Sequence, residues 1–231
     1  MQRHYLESFS SHLGRSLGAL VYGHAGAPVL VFPTSRGRFH QWEDFGMIEA
    51  LRQPIEAGYY QLFCVDGIDN ETWYNFDRPV RELLEHHQRY EQYLLDELLP
   101  ELRNLNRCPF WIATGTSFGA FHAANFAARY PEHIQRVVAM SGDFDSSKYL
   151  DDRFDPPAYF FNPVAYLSGV QAGPYLDRLR RVEFRLAVGA HDFCLSPSQR
   201  LHDLLCGLGV PSRLDIWGAE WIHDWPTWKV M

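Results

Sequence analysis

Gly115-Thr116-Ser117-Phe118-Gly119 is the stretch that decides the fold of this 231-residue chain. An apolar run typical of a strand, residues 108–114, precedes it, and an alanine-rich run typical of a helix, residues 120–130, follows it. A serine between two glycines, where a strand turns sharply into a helix, has the pattern of a nucleophile elbow. The glycines are needed because a Cβ at either position would crowd the strand or the helix. The pattern therefore predicts an exposed and reactive hydroxyl at Ser117.

The pentapeptide also has a simpler interpretation, in which Ser117 only caps the helix that follows it. The G-x-S-x-G pattern occurs by chance in other proteins, so it is a hypothesis until partners are found. A serine hydroxyl is a weak nucleophile at neutral pH and needs a base within hydrogen-bond reach. The base in turn needs an acid that fixes its tautomer and stabilises its cation. The role of Ser117 thus depends on a histidine and a carboxylate elsewhere in the chain.

Strand-like and helix-like segments alternate along the chain. The apolar patterns predict further strands at residues 3–12, 15–22, 28–32, 60–65, 136–140, 182–188 and 212–217. Helical patterns cover residues 42–56, 79–103 and 196–207. This alternation predicts an α/β fold in one domain, residues 1–231, with a mostly parallel central sheet flanked by helices. Residues 143–175, rich in Asp, Pro, Tyr and Phe, are predicted as an excursion of short helices over the active-site edge of the sheet.

Two residues near the end of the chain are the candidate partners of Ser117. Working residues in parallel sheets lie at the carboxyl ends of the strands. Around an elbow of this type, the order along the chain is serine, acid and then histidine. Asp192 follows the strand 182–188, and His223 lies in the loop after the last strand. We therefore predict Ser117 as the nucleophile, His223 as the base and Asp192 as the orienting acid.

Other residues compete for the roles of acid and base. The acid of some hydrolases follows the preceding strand, which here leads to Asp143 and Asp145. The remaining rivals have simpler interpretations: His191 as a surface or supporting residue, His122 as helix packing, His86–His87 as an exposed helix face, and Asp224 as a loop acid. No cluster of histidines and carboxylates has metal-ligand spacing, so neither a metal nor a cofactor is expected.

An attack by Ser117 would also require two hydrogen-bond donors for the developing oxyanion. One is the backbone N–H of Phe118, directly after the nucleophile. The other is expected from the loop after the strand 28–32, at Thr34 or Ser35, with Ser35 preferred. That loop could also be an ordinary turn between a strand and a helix.

Five stretches resemble, in order along the chain, the motifs of one family. They are residues 11–15 (the opening S-x-x-L-G-R), 93–100 (a helix ending in E-L-L-P), 115–119 (the elbow), 189–192 (G-x-x-D) and 223–228 (H-x-W-x-x-W). The chain thus resembles the esterase D-like "putative esterase" branch of the α/β-hydrolases. This branch includes S-formylglutathione hydrolases, feruloyl esterases and mycolyltransferases. Carried over motif by motif, the resemblance implies the same three roles, with Ser117 as nucleophile, Asp192 as acid and His223 as base.

The resemblance further implies an α/β-hydrolase fold and the cleavage of carboxylic esters through an acyl-enzyme intermediate. The chain is compact, so only a small lid or none is expected. An acyltransferase or a thioesterase could use the same residues, and a non-catalytic binding protein is a further alternative. The loop 32–37 departs from the aspartate-glycine pair that many members carry. Four aromatic residues are candidate substrate contacts, although packing explains them equally well: Trp73, Tyr74, Trp221 and Trp225.

The composition indicates which partners to expect. The formal net charge is −7 and no cluster of Lys and Arg is present, so nucleic acid is an unexpected partner. No apolar run has the length of a bilayer span, and the first residues show no secretory signal. The four cysteines form no C-x-x-C pair, which favours the cytoplasm. A small-molecule ester is therefore the expected partner, and a homo-oligomer is compatible with the sequence.

Overall fold

The computed structural model describes residues 1–150 and 156–231. Its centre is one eight-stranded sheet with the order β1-β2-β4-β3-β5-β6-β7-β8. The strands are β1 (Arg3–Ser10), β2 (Arg15–Tyr22), β3 (Ala27–Phe32), β4 (Tyr60–Val65), β5 (Ile112–Thr116), β6 (Arg136–Met140), β7 (Glu183–Gly189) and β8 (Ser212–Trp217). The pairs β1–β2 and β2–β4 are antiparallel, and all other neighbours are parallel. The predicted mostly parallel sheet is confirmed.

Ten α-helices surround the sheet in the described residues. They are α1 (Gln41–Asp44), α2 (Met47–Ala50), α3 (Arg52–Glu56), α4 (Val80–Gln92), α5 (Leu99–Leu105), α6 (Phe118–Arg129), α7 (Pro163–Tyr166), α8 (Pro174–Leu179), α9 (Leu195–Gly207) and α10 (Trp225–Trp228). A π-helical turn, Tyr93–Leu98, joins α4 to α5 and makes one long helical run, as the pattern over 79–103 predicts.

The helices lie on both faces of the sheet because successive strand residues point to opposite sides. In β3, Leu30 and Phe32 face a large core that includes side chains of α4, α5, α6, α8 and α9. Val29 and Val31 of the same strand face a second core formed with α1, α2, α3 and α10. All of β5 is buried, because it lies in the middle of the sheet with helices over both faces. The fold is therefore the predicted α/β-hydrolase architecture.

Some predicted boundaries were wrong. The first strand ends at Ser10 because residues 11–14 form a turn. The elbow strand β5 begins four residues later than the predicted 108–114 and ends two later, whereas the helix α6 begins two residues before the predicted 120–130. The single helix predicted over 42–56 is divided into α1, α2 and α3. Gly46 adopts a left-handed φ of 76° between the first two, and such a residue interrupts a right-handed helix.

The described part of the segment 143–175 contains short helices joined by irregular residues. Two 3₁₀ turns, Ser146–Leu150 and Pro156–Phe161, precede α7. Residues 151–155, which belong to the predicted excursion, lie outside the described residues. Phe161 packs against Trp73, with ring centroids 6.4 Å apart, so the segment contacts the loop that follows β4.

The parallel strands bring four loops to one edge of the sheet. β3 leads into residues 33–37, β5 into Ser117, β7 into Asp192, and β8 into the loop that carries His223. Residues far apart in the sequence meet there because the carboxyl ends of parallel strands share an edge. In residues 1–150 and 156–231, no helix is both long enough and apolar enough to cross a membrane.

Candidate active site

Ser117 occupies a strained turn between β5 and α6. Its φ is 54° and its ψ is −123°, a combination that non-glycine residues seldom adopt. The N–H of Ser117 donates to the carbonyl oxygen of Met140 at 2.9 Å, which ties the turn to the end of β6. Strain of this kind persists only where surrounding contacts hold it, and it clusters at functional sites.

The two glycines of the pentapeptide permit contacts between backbones. A Cβ on Gly115 would overlap the carbonyl carbon of Gly119, so the strand and the helix approach each other only because Gly115 lacks one. A Cβ on Gly119 would lie 2.5 Å from the carbonyl oxygens of Phe32 and Pro33. The start of α6 is thereby packed directly against the end of β3, which leads into the loop with Thr34 and Ser35.

Ser117, His223 and Asp192 form one hydrogen-bonded row. Nε2 of His223 lies 2.9 Å from Oγ of Ser117, and Nδ1 lies 3.1 Å from each carboxylate oxygen of Asp192. An ionised carboxylate only accepts hydrogen bonds, so Nδ1 carries the proton and Nε2 is free to accept from the serine hydroxyl. The Ser117 side chain makes no capping bond to α6, so the simpler interpretation as a helix cap is wrong.

Asp192 is buried but stays ionised. Burial raises the pKa of its carboxyl, yet hydrogen bonds from the His223 ring and from the N–H of Cys194, at 2.8 Å, outweigh burial and hold the pKa below its usual value. A buried carboxylate with several donors keeps its charge in this way. The acid therefore presents a fixed negative charge to the imidazole.

The loop that carries His223 is held in place by three contacts. A Cβ on Gly189 would overlap the carbonyl oxygen of Trp221, so the end of β7 and this loop touch only because position 189 is glycine. The N–H of Ile222 donates to Oγ1 of Thr227 at 3.1 Å. Asp224, expected as a loop acid, caps α10 by accepting the N–H of Thr227 at 2.9 Å. These contacts fix the backbone on both sides of the imidazole.

The candidate oxyanion donors differ in their availability. The N–H of Thr34 donates to Oε1 of Gln41 at 2.7 Å and is therefore occupied. The N–H groups of Ser35 and Phe118 donate to no group in the described residues. Ser35 is further oriented by Tyr74, whose hydroxyl donates to Oγ of Ser35 at 2.7 Å. Between the two residues considered from the sequence, the backbone of Ser35 is the one free to bind an oxyanion.

Asp69 is a residue that the sequence reasoning missed. Its carboxylate accepts the N–H of Arg36 at 3.1 Å and lies 2.9 Å from Nε2 of His122. It thereby links the loop that contains Ser35 to helix α6. A signal was present, because Asp69 follows the carboxyl end of β4 by only a few residues, but no motif marked it. His122, predicted as helix packing, is buried and makes this polar contact as well.

The rival acids have other partners, and the neighbouring histidine is exposed. Asp143 pairs with Lys148 and accepts a hydrogen bond from the hydroxyl of Tyr149. Asp145 accepts from Ser147 and Asn162 and pairs with Arg200. The side chain of His191 is exposed. None of these contacts joins the row of Ser117.

One expectation about an exposed ring was wrong, and one of two open alternatives for a tryptophan is favoured. His87 was predicted on an exposed helix face, but it is only 3% exposed and its Nδ1 accepts a hydrogen bond from Nε1 of Trp73 at 3.2 Å. Burial lowers the pKa of His87 well below its usual value, so the ring is neutral. Trp73, a predicted substrate contact, is itself 1% exposed and packs between Phe118 and Phe161. It supports the site from within the core.

The other predicted substrate contacts are placed differently. The ring of Tyr74 is half-buried against Phe118, so Tyr74 adjoins the elbow. Trp225 stacks on Phe45 with ring centroids 4.8 Å apart, which is a packing contact. Trp221 packs against Trp217 at 5.3 Å. The structure thus brings Tyr74 to the elbow. Trp225 reaches the His223 ring through Trp228, which packs on both rings at 5.3 and 4.9 Å.

One group of side chains has the spacing of a metal site, which the sequence did not suggest. A ligand atom from each of Asp192, Cys194 and His223 lies within 4.8 Å of the others. Burial, however, raises the pKa of the Cys194 thiol, and a protonated thiol is a poor ligand. Nδ1 of His223 is already bonded to Asp192. The chemistry of these donors fits hydrogen bonding better than metal binding.

The sequence profile of one family, described as "Putative esterase", matches residues 10–231. The chain belongs to this family. Membership makes it an ester-cleaving enzyme and confirms the resemblance seen in the sequence motifs. A search of curated proteins found no match.

Solved structures of related fold support this assignment. A ferulic acid esterase superposes with a TM-score of 0.78 at 16% sequence identity, over 99% of this chain and 94% of that one. An S-formylglutathione hydrolase from Agrobacterium tumefaciens gives 0.74 at 16% identity, over 99% and 90%. MPT51 (FbpC1) from Mycobacterium tuberculosis gives 0.67 at 14% identity, over 100% and 94%. At such identities the likeness shows a shared α/β-hydrolase fold.

Proposed function

We propose that this esterase is a serine hydrolase that cleaves carboxylic esters through an acyl-enzyme on Ser117. The observation that supports it best is the hydrogen-bonded row from Ser117 through His223 to Asp192, with distances of 2.9 and 3.1 Å. A serine, a base and an orienting acid in this geometry are what nucleophilic attack on an ester requires. The positive φ of Ser117 agrees with a nucleophile exposed at a sharp turn.

In the first half of the proposed reaction, Oγ of Ser117 attacks the ester carbonyl while Nε2 of His223 takes the hydroxyl proton. The carbonyl oxygen becomes an oxyanion and accepts the N–H groups of Phe118 and Ser35. The positive charge on the imidazole is stabilised by the ionised Asp192. His223 then donates the proton to the leaving alcohol, the C–O bond of the ester breaks, and the acyl group remains on Ser117.

In the second half, water takes the place of the alcohol. Nε2 of His223 removes a proton from water, hydroxide attacks the acyl carbonyl, and the acid is released as Ser117 regains its proton. An alcohol acceptor in this step would give acyl transfer, and a thiol leaving group in the first step would give thioester cleavage. Acyl transfer and thioester cleavage use the same residues as ester hydrolysis. Product analysis with and without an added alcohol separates hydrolysis from transfer.

The test compares the wild-type protein with Ser117→Ala on 4-nitrophenyl butyrate. We expect turnover by the wild type and only background release by the variant. A fluorophosphonate probe should label the wild-type protein at Ser117 and leave the variant unlabelled. Ser196→Ala, which removes an exposed serine on α9, is the matched control and should keep full activity. Equal turnover by wild type and Ser117→Ala would refute the proposal.

We further propose the cytoplasm as the compartment of the enzyme. The support is that Cys64, Cys108, Cys194 and Cys206 are all free thiols. Reducing compartments keep cysteines in this state, whereas secreted proteins tend to pair them. Fractionation of the native host cells would test this proposal.

A further inference from the structure

Arg36 stands at an unusual place beside the candidate oxyanion site. It directly follows Ser35, and its backbone is left-handed with a φ of 58°. Apart from asparagine and aspartate, an L-residue seldom takes this conformation, because its Cβ crowds the backbone. The hydrogen bond from its N–H to Asp69 holds the backbone there. A glycine would fit this backbone better, so the arginine side chain itself is the feature to explain.

The guanidinium of Arg36 has no acidic partner in the described residues. The nearby Arg38 makes a contrast, because its Nη2 donates to Oδ2 of the buried Asp66 at 2.8 Å. Arg36 is exposed, and its guanidinium lies 4.8 Å from the ring centroid of Tyr74. The tyrosine face orients the cation without neutralising it. Among the described residues no acid neutralises this guanidinium, so Arg36 offers a positive charge that the ring of Tyr74 orients.

A continuous row of contacts connects Arg36 to the proposed base. We call this row the rim: Arg36, Tyr74, Tyr149, Lys148 and Phe193. Tyr74 packs against Tyr149 at 5.8 Å, Lys148 lies over both Tyr149 and Phe193 at 5.3 and 5.5 Å, and Phe193 lies 4.3 Å from the His223 ring. Lys148 is paired with Asp143, so Arg36 is the cation of the rim that has no acidic partner in residues 1–150 and 156–231.

The order of the rim indicates which part of a substrate Arg36 would meet. The leaving alcohol must receive its proton from Nε2 of His223, so it lies at the His223 end. Arg36 lies at the other end, next to the Ser35 amide that would bind the oxyanion. The acyl group extends from the same carbon away from the leaving group. The acyl part of the ester is thus the part nearest to the guanidinium.

We propose that Arg36 selects esters whose acyl group carries a carboxylate or another anion. The inference rests on the proposed function, because it places the substrate on Ser117. A planar guanidinium binds a carboxylate through two parallel hydrogen bonds, and such charge-assisted pairs are stronger than neutral ones. An otherwise neutral acyl chain would gain nothing from Arg36.

The experiment measures kcat and KM for matched esters. The pair that tests the acyl side is 4-nitrophenyl hydrogen adipate, which is anionic, against methyl 4-nitrophenyl adipate, which is neutral. The pair that tests the alcohol side is 4-acetoxybenzoate against its methyl ester. We expect the wild type to prefer the anionic adipate by about five- to tenfold in kcat/KM, mainly through KM. No such preference is expected for 4-acetoxybenzoate. Added salt should reduce the adipate preference, since an exposed charge is screened.

The variants are Arg36→Asn and Arg36→Gly, because both residues tolerate a positive φ and avoid a folding defect. In each, the ratio of kcat/KM for the anionic adipate over the neutral one should fall to about one. Arg36→Lys should keep part of the preference because it keeps the charge. Arg107→Ala is the matched control: it removes an exposed arginine before the opposite end of β5 and should leave the ratio unchanged.

The proposal is overturned if the wild type shows no preference for the anionic adipate while hydrolysing the neutral one. It is also overturned if Arg36→Asn and Arg36→Gly lower kcat/KM equally for the anionic and the neutral adipate, because that result would mean a structural role. A preference of the wild type for 4-acetoxybenzoate over its methyl ester would overturn it as well. Failure of the proposed function looks different, because neither adipate would then be hydrolysed faster by wild type than by Ser117→Ala.

Discussion

Oδ1 of Asp69 lies 2.9 Å from Nε2 of His122, and both side chains are more than nine-tenths buried. The other carboxylate oxygen of Asp69 accepts the N–H of Arg36. One buried carboxylate thereby connects the loop that contains Ser35 with the helix that begins at Phe118. The two N–H groups proposed to bind the oxyanion come from these two elements, so Asp69 sets their relative position.

Replacement of Asp69 by asparagine should impair turnover more than substrate binding. One carboxylate oxygen accepts the N–H of Arg36 and the other faces Nε2 of His122, so asparagine replaces one of these two oxygens by an NH2 group. We expect kcat to fall about tenfold with little change in KM, and the free energy of unfolding to fall by about 1–3 kcal/mol. Steady-state kinetics and denaturant unfolding measure the two effects. Asp77→Asn, at an exposed acid nearby, is the control. An unchanged kcat in a destabilised Asp69→Asn variant would show that Asp69 is only structural.

Replacement of Asp192 by asparagine tests the orienting acid. The amide cannot stabilise the imidazolium and can favour the wrong tautomer of His223, so kcat should fall by about 10³ to 10⁴. Asp143→Asn, the rival acid, should lower kcat far less. Asp203→Asn, an exposed acid on α9, should leave it unchanged. A larger loss in Asp143→Asn than in Asp192→Asn would transfer the acid role to Asp143.

The lowered pKa of Asp192 also predicts how stability depends on pH. A carboxyl whose pKa is lower in the folded than in the unfolded state stabilises the fold above its unfolded pKa, about 3.9, and loses this contribution as pH falls through the folded pKa. The contribution should therefore be complete near neutral pH, begin to decline at about pH 4, and be lost as pH falls through the folded pKa. Thermal unfolding of wild type and Asp192→Asn between neutral pH and pH 3 measures it. A gap in Tm between the two proteins that stays constant into strong acid would contradict the prediction.

Ser35→Ala should retain most of the activity. The proposed donor is the backbone N–H of Ser35, which alanine keeps, whereas the side chain only accepts the hydroxyl hydrogen of Tyr74. We expect kcat to fall by no more than about threefold, because removal of a true oxyanion donor costs about 10² to 10³. Tyr74→Phe removes the same hydrogen bond from the other side and should behave alike. A loss near 10² in Ser35→Ala alone would assign the donor to the hydroxyl.

Gly119→Ala should destabilise the fold and reduce activity. The new Cβ would lie 2.5 Å from the carbonyl oxygens of Phe32 and Pro33, and backbone atoms cannot move aside cheaply. We expect a loss of about 1–3 kcal/mol in the free energy of unfolding. Gly207→Ala is the matched control, since no atom lies within 4 Å of its Cβ and the residue ends α9. It should be neutral or slightly stabilising. Equal stability of the two variants would refute the argument from close contact.

Much of the candidate site could be predicted from the sequence because its signals are local. The glycines around Ser117 indicate close backbone contacts at the elbow, and continuous apolar runs indicate strands that are buried on both faces. Asp192 and His223 were found because parallel strands deliver the residues that follow them to one edge. These features depend on short stretches and on chain order, which a sequence displays directly. Their chemical roles stay predictions until the variants are measured.

The burial of a side chain and its hydrogen-bond partners depend on residues far apart in the chain, and these follow only from the tertiary structure. Whether His87 is exposed depends on the loop that carries Trp73, and the pattern of its own helix predicted the opposite. The link from Asp69 to His122 likewise depends on which groups meet across the fold. So do the Ser35 N–H and the Arg36 guanidinium, neither of which is bonded to a partner in the part of the chain that the structure describes. A hydrogen bond or an ion pair is specified by three-dimensional distance, and a side chain's partner leaves no periodic signal in the sequence. The sequence by itself therefore determined the fold and the elbow, and only the folded chain decided which groups surround it.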